Sequence, residues 1–303
     1  MNRFLTLLIS GYYDQYVLEK KKLHDKAVAA LKDFRIDGHE KERIAQSILD
    51  AITESGAKKT YEKSGRTLSF KPTAKTEDLI KSIERNSCDS PSRYLKGMLT
   101  DYSKKPFSQR EQIVFHDHYS LLLRCCADRQ PIRLSTIWEK DTTHEVVPYA
   151  VATGPEEMFN YLLCQEVNPS THIPETRAYS LRRIRGISAS DISATISPHI
   201  HERLERMISM GPQYAINDED EICVRLTEKG LAQFNSIYFG RPKYRIMEHK
   251  PDGHYQYYRC SHDQAFLYFR RFDAKEAEIL APDSLRKRMA CFFREGADVY
   301  KML

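Results

Sequence analysis

The amino-acid sequence predicts an α+β protein built from several domains. The chain has 303 residues, and a typical domain contains roughly 100–200 residues, so two or three domains are expected. Apolar residues recur at helical spacing in the first part, short strand patterns follow a helix in the middle, and strands alternate with helices in the last third. These observations divide the chain into residues 1–57, 58–106, 107–190, a linker with a helix at 191–220, and 221–303.

Residues 1–57 begin with the apolar run FLTLLIS, Phe4 to Ser10, which we expect to form a strand or a packed arm. The run is too short to cross a bilayer, and no small-residue cleavage site precedes the charged stretch EKKKLHDK. We therefore expect a cytoplasmic protein without a membrane partner. Two helices are predicted next, from apolar residues at helical spacing: Tyr16, Leu23, Ala27, Ala30 and Phe34, then Ile44, Ile48 and Ala51.

Residues 58–106 begin with a linker, SGAKKTYEKSG, and a short predicted strand, RTLSFKP. Successive side chains of a strand point to opposite faces. Leu68 and Phe70 therefore share one face, while Thr67, Ser69 and Lys71 share the other. The strand has no partner within its own segment, and an open strand edge favours pairing with a second copy.

Two predicted helices follow this strand, one from about residue 73 and one from Ser90-Pro91, a serine cap before a first-turn proline. One strand and two helices resemble the ribbon-helix-helix family, whose paired strands enter a nucleic-acid groove. The resemblance implies a homodimer with Thr67, Ser69 and Lys71 facing the groove and Ser92 and Arg93 near the phosphate backbone. The alternative is a dimerisation module that binds no nucleic acid.

Residues 107–190 predict a helix over 107–129 followed by a small, strongly bent β-barrel. The apolar face of the helix is indicated by Ile113, Leu121, Leu122 and Cys125. Four strand-rich stretches follow in quick succession, PIRLSTIW, HEVVPYAV, MFNYLLCQE and RAYSLRRIRGI, and turn-rich pieces separate them. A helix followed by short sequential strands is typical of such a barrel.

Three of these stretches resemble a WYL domain, an Sm-like barrel of prokaryotic regulators. They are VVPYAV, NYLL and RAYSLRRI, with Asn160 where the family usually has tryptophan and Arg182 where it usually has an acid. The resemblance implies a surface groove that binds a regulatory ligand, often single-stranded nucleic acid. Replacement of the acid by Arg182 favours a polyanionic ligand over a small cation.

The stretch RAYSLRRIR carries four arginines, Arg177, Arg182, Arg183 and Arg185, and no acid. Ile184 has the opposite strand parity to Leu181, so a bulge near residues 182–183 would turn two guanidinium groups outward. Arginine matches phosphate with a planar fork and stacks on bases. The alternative for these arginines is salt bridges to an acidic surface of another domain.

Three aromatic residues are candidates for stacking on unpaired bases beside these arginines. They are Tyr161, Tyr149 and Trp138. The alternative for Tyr149 and Trp138 is a place in the barrel core.

Residues 221–303 predict the element order β-α-β-β-α-β and a closing helix, which is the ferredoxin-like order. The run AEILAPDSLRKRM resembles the extension that commonly follows WYL domains and often contacts the other subunit, which implies homodimerisation. The alternating aromatics of HYQYYRC favour the alternative of RNA stacking on this domain.

No catalytic, metal or cofactor motif emerges from the sequence. The seven cysteines form no C-x-x-C pair, and the pairs His116/His118 and His199/His201 have no acid or cysteine at metal spacing. No glycine-rich phosphate loop or nucleophile elbow is present. We therefore expect a binding protein, not an enzyme, with no cofactor and no metal.

Charge and domain order together indicate the function. The net charge is +5, and residues 58–110 hold 13 Lys and Arg against 6 Asp and Glu. A ribbon-helix-helix before a WYL domain resembles the accessory proteins of type VI-D CRISPR systems. The resemblance implies a single-stranded RNA-binding homodimer that stimulates an RNA-guided RNA nuclease. The alternatives are a DNA-binding transcriptional regulator with a ligand-sensing WYL domain, and an assembly protein whose basic residues dock on an acidic partner.

Overall fold

The computed structural model describes residues 2–58, 70–86, 90–139, 142–154, 158–168, 171–218, 220–273 and 275–301. Helices and two antiparallel sheets make up these residues, so the predicted α+β class is confirmed. The chain divides into two compact units, Met1–Asp117 and His118–Leu303. This division is coarser than the five predicted segments, whose bounds stay predictions.

The first unit is helical in its described residues. Its helices are α1 (Asn2–Ala30), α2 (Gly38–Lys58), α3 (Ala74–Asn86), α4 (Pro91–Lys104) and α5 (Phe107–Val114). Phe4–Ser10 lies inside α1, so the prediction of a strand or arm there is wrong. The seven residues are only part of a longer pattern, because α1 buries a stripe of apolar residues at helical spacing that continues beyond Ser10. The stripe is Leu5, Leu8, Ile9, Tyr12 and Tyr16.

The stripe of α1 forms the core of the first unit together with Met98 of α4 and Ile113 of α5. Gly11 lies on the same helix where the backbone carbonyl of Ile113 approaches so closely that a β-carbon would clash with it. Lys105 lies at the polar edge of this core, where its Nζ is 2.9 Å from Oε2 of Glu19. Full burial of a large apolar side chain such as Leu8 contributes about 1.5–3 kcal/mol.

The predicted ribbon-helix-helix segment is only partly described. Helices α3 and α4 lie where they were predicted, and the hydroxyl of Ser90 accepts a hydrogen bond from the backbone N–H of Arg93, which caps α4. Residues 66–69 of the predicted strand lie outside the described residues. The ribbon-helix-helix assignment therefore stays a prediction.

The predicted helix 107–129 is divided in two. Helix α5 ends at Val114, the backbone of Phe115 leaves the helical region with φ −104° and ψ 31°, and α6 (His116–Asp128) follows. Among the described residues, no helix is long and apolar enough to cross a membrane.

The first sheet of the second unit has the strand order β4-β3-β2-β1-β5, and each neighbouring pair is antiparallel. The described strands form an open sheet, and the closed barrel that the sequence predicts is not seen among them. Strands β4 and β5 lie at opposite edges of the sheet. They are consecutive in the chain, and a single 3₁₀ turn, Leu181–Arg183, joins them. The strands are β1 (Ile132–Thr136), β2 (Thr143–Thr153), β3 (Asn160–Val167), β4 (Pro174–Ser180) and β5 (Ile184–Ala189).

Helix α7 (Pro198–Met210) covers one face of this sheet. Its Ile200, Leu204 and Met207 are fully buried in one cluster with Tyr149 and Leu163 of the sheet. The sheet thus buries this apolar face against a helix. The segment 191–220, predicted as a linker with a helix, contributes its helix to this core.

The rest of the second unit has the predicted element order. Its strands pair antiparallel in the order β7-β8-β6-β9. Its core is rich in aromatic side chains, among them Tyr258, Tyr268 and Phe269. The elements are β6 (Ile222–Leu226), α8 (Glu228–Ser236), β7 (Ile246–Lys250), β8 (Gly253–Tyr258), α9 (His262–Phe269), β9 (Ala277–Ala281) and α10 (Asp283–Lys301).

Candidate nucleic-acid interface

The arginine turn, Leu181–Arg185, connects β4 to β5 and exposes three of the four arginines of RAYSLRRIR. Leu181 and Ile184 are buried, whereas Arg182, Arg183 and Arg185 are exposed. The sequence predicts a bulge here, and the structure has a 3₁₀ turn instead. Residues i and i+3 of a 3₁₀ turn point the same way. This is why Leu181 and Ile184 both point into the core while the arginines between them point out.

Arg182 stacks on an aromatic ring. Its guanidinium carbon Cζ lies 4.0 Å from the centroid of the Phe159 ring. Phe159 comes immediately before β3, which pairs with β4 through Tyr161 and Ser180. Phe159 and Arg182 therefore lie just beyond the end of this ladder, one before β3 and one after β4. The contact holds the guanidinium over the ring, and its exposed N–H groups can donate to an acceptor such as a phosphate oxygen.

Arg183 lies beside the single tryptophan of the chain. The Arg183 Cζ is 6.0 Å from the centroid of the Trp138 ring, and the carbonyl of Arg183 accepts a hydrogen bond of 2.9 Å from the N–H of Ile137. Trp138 is 73% exposed. This exposure excludes the core interpretation of Trp138 and leaves its ring accessible for stacking.

No carboxylate among the described residues lies within ion-pair distance of Arg182, Arg183 or Arg185. The turn between β4 and β5 places Arg182 beside Phe159, which precedes β3, and Arg183 beside Trp138, which follows β1. Positive charges beside accessible aromatic rings are the arrangement that binds single-stranded nucleic acid.

Arg177 is in a different environment from the other three arginines. Its Nε lies 3.3 Å from Oε2 of Glu166 without hydrogen-bond geometry, and its guanidinium lies 3.4 Å from Oε2 of Glu175. These two carboxylates neutralise its charge. Arg177 therefore fits the alternative interpretation, in which the arginines form salt bridges. Its partners are acids of its own sheet and not of another domain.

Glu166 also organises a polar cluster next to Arg177. Nδ1 of His144 lies 2.8 Å from Oε1 of Glu166, and the hydroxyl of Tyr179 donates a 2.8 Å hydrogen bond to Oε2. Burial, together with the negative charges nearby, raises the pKa of Tyr179 far above its usual range, so its hydroxyl stays protonated and donates. The cluster is structural, because its acid is buried and satisfied.

Tyr149 and Tyr161 lie on the side of the sheet that α7 covers. Tyr149 is buried, its hydroxyl donates to Glu205 and lies 3.1 Å from Nε2 of His201, and Arg129 stacks on its ring. Tyr161 is partly buried against the same cluster. The core interpretation therefore fits Tyr149, and neither tyrosine joins Trp138 on the arginine surface.

The predicted ribbon-helix-helix contacts lie in the first unit. Lys71 is exposed just before α3, and Ser92 and Arg93 are exposed in the first turn of α4. Thr67 and Ser69 lie outside the described residues. Among the described residues, no group of three or more His, Cys, Asp or Glu side chains is placed to hold a metal ion.

Comparisons with known proteins show a likeness in fold. No family model matches the sequence, and no curated protein matches it. A solved crystal structure of a CRISPR Cas-related protein matches with a TM-score of 0.71 and 20% sequence identity, covering 100% of this chain and 87% of that chain. At this identity the likeness shows the fold. The resemblance to a CRISPR-associated protein is thereby confirmed at the level of the fold.

A second match is the proteasome accessory factor B/C (PafBC) of Arthrobacter aurescens, with a TM-score of 0.27 and 13% identity, covering 67% of this chain and 31% of that chain. This likeness is too weak to support an argument.

Proposed function

We propose that this protein binds single-stranded RNA as an accessory protein of a CRISPR system and stimulates a type VI-D RNA-guided RNA nuclease. The observation that carries the proposal is the arginine turn, whose exposed guanidinium groups lie beside Phe159 and Trp138. The fold likeness to a CRISPR Cas-related protein supports the cellular context. The order of ribbon-helix-helix and WYL patterns in the sequence supports the type VI-D assignment.

The chemistry of the arginine turn favours an unpaired strand. Guanidinium groups bind phosphate oxygens through paired N–H donors, and an exposed aromatic ring stacks on a base with about 1–3 kcal/mol per base. Bases in a duplex are already stacked on each other, so Trp138 reaches a base face only in a single strand. The proposal assigns binding and no catalysis to this surface.

In this proposal the protein acts as a homodimer. The ferredoxin-like order of the C-terminal elements and the resemblance of AEILAPDSLRKRM to a WYL extension support dimerisation through residues 221–303. The predicted strand around residues 66–72 would add a second, intertwined contact through the ribbon-helix-helix segment. No cofactor is needed for this function.

The second candidate is a DNA-binding transcriptional regulator whose WYL domain senses a ligand. The capped N-terminus of α4, with exposed Ser92 and Arg93 in its first turn and Lys71 before α3, favours it. A helix N-terminus with such residues is suited to a DNA phosphate. In this candidate the first unit, not the arginine turn, carries the affinity for nucleic acid.

A binding experiment separates these candidates. Single-stranded RNA, single-stranded DNA and duplex DNA are titrated over a salt series with the native protein, with Arg182→Ala/Arg183→Ala, and with the control Lys22→Ala/Lys26→Ala. The control removes two positive charges that are exposed on α1, where no site is proposed. We expect single-stranded RNA to bind most tightly. The salt slope is the steepness with which the logarithm of the binding constant falls with the logarithm of the salt concentration. It should decrease by about 0.7 per removed contact in the arginine variant only.

The other outcomes of this titration contradict the proposal. Equal binding by native protein and the arginine variant would exclude the arginine turn as the site. Preference for duplex DNA would establish the second candidate, and no binding to any of the three would favour an assembly protein. Stimulation is tested separately, by the RNA-cleavage rate of a type VI-D effector with native protein and with each variant.

A further inference from the structure

The segment between α8 and β7 displays aromatic and basic side chains that the proposed function does not use. We call residues Ile237–Tyr244 the aromatic loop. Tyr238 is 74% exposed, and Phe239 and Tyr244 are also exposed. Lys243 is exposed beside them, and no carboxylate among the described residues pairs with it. Such a dense group of exposed aromatic rings indicates a binding surface.

The aromatic loop is held in place by the core beneath it. The hydroxyl of Tyr268 donates a 2.7 Å hydrogen bond to the carbonyl of Ile237, and the guanidinium of Arg271 donates a 2.8 Å hydrogen bond to the carbonyl of Phe239. Gly240 has φ +67°, a conformation that favours glycine and turns the chain between Phe239 and Arg241. The exposed rings are thus presented on a fixed backbone, which lowers the entropy cost of binding.

These residues line a cleft of about 1090 Å³ within the second unit. Met158 and Met210 contribute to its wall, and no acidic side chain is among its described lining residues. The volume exceeds what a single nucleobase needs, since pockets for drug-sized ligands have roughly 300–1,000 Å³. Apolar walls, aromatic rings and a lysine suit a flat base that carries a phosphate.

The tyrosines of β8 differ from those of the aromatic loop. The hydroxyl of Tyr255 donates to Asp252, and that of Tyr257 donates to Glu248. Carboxylates at the edge of these rings repel a phosphate backbone, which weakens the prediction that HYQYYRC stacks RNA. The cleft has the aromatic surface without these acids.

The cleft is connected with the arginine turn along the chain. Phe159, whose ring supports Arg182, directly follows Met158, which lines the cleft. Consecutive Cα atoms are about 3.8 Å apart. The arginine turn and the cleft thus draw on neighbouring residues of the chain, one beneath Arg182 and one in the cleft wall.

We propose that the cleft binds an unpaired base of the same RNA strand, with the base stacked on Tyr238 and its phosphate on Lys243. This inference rests on the proposed function and extends it by a second contact. A strand with both contacts must be unpaired over the whole distance between them. The cleft thereby adds selection for single strands over duplexes.

The test compares two matched variants of the full chain. Tyr238→Ala/Lys243→Ala removes one aromatic ring and one lysine of the cleft. Phe34→Ala/Lys32→Ala removes one aromatic ring and one lysine just after α1, where Phe34 is 60% exposed and no site is proposed. The probes are single-stranded RNAs that carry 2-aminopurine at successive positions, whose fluorescence falls when the base stacks. We expect about tenfold weaker binding for the cleft variant, as for one lost stack, and loss of quenching at one set of positions.

Each result decides the inference. A cleft variant that binds and quenches like the control Phe34→Ala/Lys32→Ala overturns it, and the proposed function stands if Arg182→Ala/Arg183→Ala still loses affinity. Failure of the native chain to bind any single-stranded RNA overturns both. If the double variant does not fold, Lys243→Ala alone is tested. This single variant should fold, because the side chain of Lys243 is exposed and pairs with no carboxylate among the described residues. A salt slope of Lys243→Ala equal to that of the native chain then contradicts the inference.

Discussion

The guanidinium of Arg182 lies over the ring of Phe159, with its Cζ 4.0 Å from the ring centroid. This contact joins the turn between β4 and β5 to the residue before β3. Such a cation–π contact contributes about 0.5–1 kcal/mol at an exposed site. It restrains the guanidinium before any ligand arrives.

The first prediction concerns the planarity of Arg182. Arg182→Lys keeps the positive charge but removes the planar fork and its stack on Phe159, so the salt slope of RNA binding should stay unchanged while affinity falls about two- to fivefold. Titration at several salt concentrations measures both quantities. Native-like affinity in Arg182→Lys would mean that only the charge matters at this position.

The second prediction separates Arg177 from its neighbours. Arg177→Ala should leave RNA affinity and its salt slope as in the native protein, because Glu166 and Glu175 already neutralise this cation. Stability is measured in parallel, because the buried Glu166 loses one of its partners in this variant. Arg183→Ala is the matched comparison and should lower the slope by about 0.7. Equal losses in the two variants would show that Arg177 contacts the RNA.

The third prediction tests the cluster around Glu166. Tyr179→Phe removes the hydroxyl that donates to this buried carboxylate, and loss of a hydrogen bond to a charged group costs about 1.5–3 kcal/mol. We expect a lower urea midpoint of the second unit, followed through the fluorescence of Trp138, with RNA affinity unchanged. An unchanged midpoint would indicate that the hydrogen bond adds no stability.

The fourth prediction is a pH dependence of the first unit. Burial alone would raise the pKa of Glu19, but hydrogen bonds from Lys105, Gln15 and Tyr12 outweigh it and hold the pKa below its usual range. An acid with a lowered folded-state pKa contributes stability above its unfolded pKa of about 4.3, and this is lost as pH falls through the folded value. Glu19→Gln should therefore be less stable than the native protein at neutral pH.

The difference between Glu19→Gln and the native protein should shrink in acid. Urea unfolding followed by the helical circular dichroism signal at neutral pH and at about pH 3 measures it. A constant difference at both pH values would exclude the charge of Glu19 as its cause.

Much of the fold could be predicted from the sequence, because the strands of the second unit alternate and end at turn residues. The order β-α-β-β-α-β and the strands around VVPYAV and NYLL appear where they were predicted. Phe4–Ser10 could not be assigned from its own seven residues, since a short apolar run suits a strand or a helix equally. Its continuation through Tyr12 and Tyr16 carries the helical signal.

The site was predictable in its charges but not in its partners. Side-chain parity showed that Arg182 and Arg183 would point outward. The pairing of Arg177 with Glu166 depends on the register of β3 against β4, which a single sequence does not determine. The pairing with Glu175 was predictable, because Glu175 is two residues earlier on the same face of β4. Phe159 was missed, and the only signal for it was the antiparallel register between MFNYLL and RAYSLRR.

Trp138 gives the most direct measurement of the central claim, because the only tryptophan of the chain is exposed beside Arg183. Titration with single-stranded RNA should quench its fluorescence, and Arg182→Ala/Arg183→Ala should shift the midpoint to at least tenfold higher RNA, roughly the loss of two phosphate contacts. The control Lys22→Ala/Lys26→Ala should keep the native midpoint. Binding of RNA without any change in the fluorescence of Trp138 would contradict the account.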